Sequence, residues 1–93
     1  MPDIVITRRH ALGLDGARRA AQQVAERLRE DFGVAIRHVG DSIHVEGRGV
    51  RGRLDAGAHE VRVEASLGLA ARPFRRLLHR EIESELDRLA PAS

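Results

Sequence analysis

The run Gly47-Arg48-Gly49-Val50-Arg51-Gly52 spells G-x-G-x-x-G, the glycine spacing that lets a backbone close on a pyrophosphate. That chemistry needs a helix opening at the third glycine, so that free amide N–H groups meet the phosphates. Here Arg53-Leu54-Asp55-Ala56-Gly57 continues as a strand and then breaks, and the dinucleotide reading fails. A kinase-type loop does lie between antiparallel strands, but it works with a phosphate-binding lysine and this chain has none. The glycines are therefore read as a bend or bulge in an antiparallel sheet.

Five histidines raise the question of a metal. The strand register places His38 and His44 on opposite faces, and His10 and His59 fall in or beside loops, so these four do not converge. His79 and Glu83 stand one helical turn apart, yet two exposed ligands seldom hold an ion. No Ser, His and Asp set has the spacing of a triad or a nucleophile elbow. With no cysteine, a thiolate nucleophile, a thiolate zinc site and a disulfide are excluded too. The expectation is a protein that catalyses nothing and carries no cofactor and no metal.

One cluster is physically odd. Arg72, Arg75, Arg76, His79 and Arg80 crowd the first half of a C-terminal helix, while Glu81, Glu83, Glu85 and Asp87 fill the rest. Cations are favoured near a helix C-terminus, by about 0.3–1 kcal/mol each, so this order opposes the macrodipole. Arg72, Arg76 and Arg80, at steps of four, would present one basic ridge to phosphate, phospholipid or an acidic partner. Arg72, Arg75, Arg76 and Arg80 are the candidate partner-binding residues.

All sixteen basic residues are arginine, and the net charge is only +2. Nucleic acid is permitted by that balance but argued against by the rest. Single-strand binders stack bases on exposed rings, whereas Phe32 and Phe74 both fall on apolar helix stripes. Arg48, Arg51 and Arg53 also alternate with Glu46, Glu60 and Glu64, which leaves no clean phosphate track. The N-terminus has no long apolar run and no later segment approaches about 20 apolar residues, so a cytoplasmic chain without a membrane span is expected.

The elements that must position these residues follow from periodicity. Asp3 to Arg8 alternates as a half-buried strand with Ile4 and Ile6 inward. Asp15 is expected to cap a helix whose stripe is Ala17, Ala21, Val24, Leu28 and Phe32, ended by Gly33. Val34 to Val39 and Ser42 to Glu46 form a hairpin about Gly40-Asp41, with Ile36, His38, Ile43 and Val45 on the core face. Gly49 to Leu54 and Glu60 to Leu67 follow, with Asp55 to His59 as the loop between them. Pro73 opens a helix with the stripe Phe74, Leu77, Leu78, Ile82, Leu86 and Leu89. Residues 1–90 are thus expected to form a single α+β domain, and 91–93 a loose tail. The fold expected is a two-layer sandwich, a curved antiparallel sheet with two helices on one face, in the order β-α-β-β-β-β-α. An unpaired edge such as Asp3 to Arg8 would allow a homodimer.

Several stretches also line up with a known family. They are Ile4-x-Ile6-x-Arg8-x-His10-x-Leu12, the alanine-rich helix ending in Phe32-Gly33, Val50-x-Gly52-x-Leu54, and Leu67-Gly68 before a long amphipathic helix. Together these resemble the polyhydroxyalkanoic acid system family over nearly the whole chain. Its members are short bacterial proteins encoded among genes for making or using polyhydroxyalkanoate storage polyester, some associated with the granule surface. The resemblance implies an accessory role beside the granule, with the granule surface or a granule protein as partner. It brings no catalytic or binding residue to this chain. The regular alternation from Ile36 to Leu67 sets the chain apart from an all-helical granule coat protein. A nucleic-acid or acidic-partner module and a small apolar-ligand carrier are the alternative functions.

Overall fold

β-Branched residues alternating with charged ones produce five strands, and two stripes at helical spacing produce the helices that cover them. The computed structural model describes residues 1–90, so the tail expected at Pro91 to Ser93 lies outside the described residues. In chain order the elements are β1 (Ile4–Arg9), α1 (Gly13–Phe32), β2 (Ala35–Val39), β3 (Ser42–Gly47), β4 (Val50–Ala56) and β5 (Glu60–Leu67). A 3₁₀ turn at Arg72–Phe74 then leads into α2 (Arg75–Leu89). This is the expected α+β order, β-α-β-β-β-β-α.

The sheet order is β1-β5-β4-β3-β2, with every neighbouring pair antiparallel. Consecutive hairpins join β2 to β5, while β1 and β2 lie at opposite edges. Four inter-strand steps of about 4.8 Å separate those edges. A 20-residue helix reaches about 30 Å, so α1 is long enough to carry the chain across. It packs over β5, β4, β3 and β2, whereas α2 packs on β1 and against α1.

Ile4, Ile6, Leu54, Val61 and Val63 of the sheet meet Ala17, Ala21, Val24 and Leu28 of α1 and Leu78, Ile82 and Leu86 of α2 in one buried cluster. The small residues of α1 let its backbone sit close to the sheet. Full burial of each Leu or Ile contributes roughly 1.5–3 kcal/mol.

Local detail departs from expectation in four places. The helix α1 begins at Gly13, whose φ of 74° turns the chain from strand to helix in a conformation that favours glycine. Asp15 therefore caps nothing; it lies in the first turn and pairs with Arg18 at 3.2 Å. Strand β4 runs on to Ala56, so Asp55 belongs to the sheet, opposite Arg62 and Ser42. His38 has the expected register opposite Ile43 but is exposed, because β2 is an edge strand whose inward side is only half covered at Ile36. Phe74 and Leu77, expected on the buried stripe of α2, are 53% and 45% exposed. Other details hold: Gly33 ends α1 at φ 70° with its N–H on the Arg29 carbonyl, 2.9 Å away. Gly40, at φ 60°, turns the β2–β3 hairpin between Val39 and Ser42.

Candidate functional site: a basic ridge beside an apolar groove

Charge divides α2 in two. Every acidic residue of its second half is paired: Glu81 with Arg27 (3.3 Å), Glu83 with His79 (3.6 Å), Glu85 with Arg88 (2.8 Å) and Arg27 (3.8 Å), and Asp87 with Arg8. Of these, the pairs to Arg27 and Arg8 bind α2 to α1 and β1. Arg27 holds its proton more firmly than usual, first through its hydrogen bond to Asp31, then through the charges of Asp31 and Glu81. Glu85 is buried among them and was not singled out by the sequence, since its spacing matches its solvated neighbours.

The first half is different. Arg72, Arg76 and Arg80 are exposed, and none has a carboxylate partner among the described residues. Arg75 is tied down: its Nε donates to the Asp3 carbonyl (3.2 Å), while the Asp3 carboxylate accepts the Leu67 N–H (2.7 Å). Of the four candidates, Arg75, Arg76 and Arg80 border one shallow depression together with His79 and Glu83. Arg72 sits apart, in the 3₁₀ turn.

Phe74 and Leu77 point to a second feature that periodicity missed. They line an open groove of about 610 Å³ between the end of α1, the β3–β4 turn and the start of α2, with Phe32, Val50, Leu67 and Leu78. Leu69, in the connection before the 3₁₀ turn, is 84% exposed. The opening of α2 thus carries free cations and uncovered apolar side chains within one short stretch of chain.

The other candidate motifs resolve into structure. Arg48 (φ 53°) and Gly49 (φ 82°) are the central residues of a two-residue hairpin turn, the I′ geometry. Gly52 lies opposite Val45, where an added Cβ would come 2.8 Å from a valine methyl. No helix opens there. His10 is buried; its Nδ1 accepts the Leu12 N–H (3.1 Å) and its Nε2 meets the Gly57 carbonyl (3.0 Å). That pattern requires the neutral ring with the proton on Nε2, and it clips the end of β1 to the β4–β5 loop. Among the described residues no three His, Asp or Glu side chains gather as metal ligands.

The outer sheet face compensates its own charge through Arg51–Glu46 (2.9 Å), Arg53–Asp55 (2.9 Å) and Arg62–Glu64 (2.7 Å). At Asp55 partial burial pushes the carboxyl up, but hydrogen bonds from Ser42 and Arg53, with the charges of Arg53 and His44, outweigh it and hold the group below its usual range.

No helix of the described residues is long and apolar enough to cross a membrane. No curated protein and no solved structure matches the chain. A family model does, over residues 4–89, which takes in β1 to the end of α2 and both features of the candidate site. By that match the chain belongs to the family described as putative polyhydroxyalkanoic acid system protein.

Proposed function

We propose that this is a non-enzymatic accessory protein of polyhydroxyalkanoate metabolism that docks on the storage granule, in the cytoplasm, through the opening of α2. The observation that carries this reading is that one short stretch of chain holds unpaired, exposed arginines, Arg72 in the 3₁₀ turn and Arg76 and Arg80 on α2, together with exposed Leu69, Phe74 and Leu77. Exposed apolar side chains rimmed by polar ones mark interaction surfaces. A polyester granule offers matching chemistry: apolar chains for Phe74 and Leu77, and ester carbonyls, carboxylate ends or acidic coat proteins for guanidinium donors. The rings of His10, His38 and His79 meet a backbone carbonyl and N–H, Gln22 and Glu83.

Co-sedimentation with washed native granules, and with granules stripped of protein, tests the proposal. The protein is expected to pellet with both. The triple variant R72Q/R76Q/R80Q is expected to lose most of that binding while keeping its melting temperature. Binding only to native granules would make a coat protein the partner; no binding to either would end the docking proposal. The exposure of Phe74 beside the arginines also favours a second reading, an acidic or nucleic-acid partner, because a free ring can stack a base. A gel shift with single-stranded oligonucleotide at low salt decides that form, and an unshifted band removes it.

A further inference from the structure

The groove has a cation at one end that nothing in the fold uses. The Arg48 side chain crosses directly over Gly33: a Cβ added to Gly33 would lie 2.8 Å from its Nε and 3.5 Å from its Cζ. It makes no hydrogen bond or ion pair among the described residues, yet it lines the same groove as Phe32, Phe74 and Leu77.

Placing that guanidinium has a backbone cost. Arg48, at φ 53°, is the one non-glycine residue with positive φ among the described residues, in a turn where Asn, Asp or Gly would sit with less strain. Gly33, which caps α1 at φ 70°, leaves open the space that the Arg48 side chain fills. Strain of this kind persists where function requires the residue. Asp31, at the same rim, is paired with Arg27 at 2.8 Å, and Glu30, also at the rim, makes no ion pair with Arg48 among the described residues.

We propose that the groove binds an apolar chain ending in a carboxylate. The chain lies along Phe32, Phe74 and Leu77, and the carboxylate takes two N–H donors from the Arg48 guanidinium, the fork geometry that suits it. The site shares Phe74 and Leu77 with the proposed docking surface, while Arg48 and Phe32 belong to the groove.

Titration of the ¹⁵N-labelled full chain with decanoate below its micellar concentration tests the proposal, with decanol as the comparison of equal length. Shifts are expected to concentrate at Gly33, at Arg48 to Val50 and at Phe74 to Leu78, with decanoate bound at least tenfold more tightly than decanol. R48G is expected to erase that preference while its melting temperature holds or rises, since the turn loses strain. R76Q is expected to bind decanoate as the unaltered chain does, which keeps the site distinct from the ridge. A hydroxyalkanoate oligoester with a free carboxyl end, set against its methyl ester, separates polyester chain ends from free acids as the source. Equal binding of decanoate and decanol, shifts scattered over the surface, or a preference that survives R48G would each overturn the site.

Discussion

From Glu81 to Asp87 the carboxylates of Glu81, Glu85 and Asp87 each find an arginine on α1, β1 or α2 itself, Glu83 lies 3.6 Å from the His79 ring, and Ile82 and Leu86 between them are fully buried. From Arg72 to Arg80 the chain presents Arg72, Arg76 and Arg80 without carboxylate partners among the described residues, and its apolar members Phe74 and Leu77 stand half in water. One stretch of amphipathic sequence thus holds two arrangements that differ in what they are used for. In the second half charge and burial agree and the helix is anchored. In the first half the cations oppose the macrodipole and Phe74 and Leu77 are only half covered, so part of what they offer is offered outward. Leu78 marks the boundary: it is 1% exposed, one residue after Leu77.

The largest effect that tests this division comes from apolar truncation. Leu86→Ala removes a side chain with no exposure and is expected to cost about 3 kcal/mol. Leu77→Ala, one residue outside the core, is expected to cost under about 1 kcal/mol on the same scale of burial. Urea unfolding of the two variants checks the contrast, and equal losses would break it.

A smaller effect tests the charges. Glu85→Ala leaves Arg27 and Arg88 without their shared carboxylate. Both arginines are about half exposed, so the loss is expected near 1 kcal/mol. It should shrink in high salt. Urea midpoints at low and high salt, with R27A and the double variant to isolate the coupling, measure it. A loss that ignores salt would assign Glu85's role to packing.

The division also explains what was legible beforehand. The five strands, both helices, the Gly40-Asp41 turn and the Gly33 stop follow from period and turn chemistry, and all are local properties. A stripe at helical spacing tells which side of α2 is apolar, but not where the surface beneath it ends. The stripe therefore extends to Phe74 and Leu77, which the core does not fully reach. Asp15 reads as a cap because its side chain can accept N–H groups, yet α1 begins two residues earlier, at Gly13, and no side chain makes a cap hydrogen bond there. The ridge was visible as a charge pattern. That its arginines are unpaired, while Glu81 to Asp87 are not, depends on Arg8 and Arg27, whose positions opposite α2 only the tertiary structure supplies. Arg48 did leave a trace, an arginine between two glycines at a hairpin, where the turn forces an unfavourable residue into place.

The smallest expected effect has the opposite sign, and for that reason it separates the two halves most cleanly. Arg76 lies in the first turn of α2, without a carboxylate partner. Arg76→Glu puts a negative charge where the helix dipole favours one and places it four residues before Arg80, the better order for a helical pair. A gain of about 0.5 kcal/mol at low salt is expected, fading as salt is added. The same reversal at Arg88, in the last turn and paired to Glu85 at 2.8 Å, is expected to lose stability. If Arg76→Glu instead destabilises the fold, the arginine has a structural partner and the ridge is not held in reserve for binding. If it stabilises the fold while granule binding falls, then stability is given up at the start of α2 for an outward contact, and the arginines are there for what they touch outside the molecule.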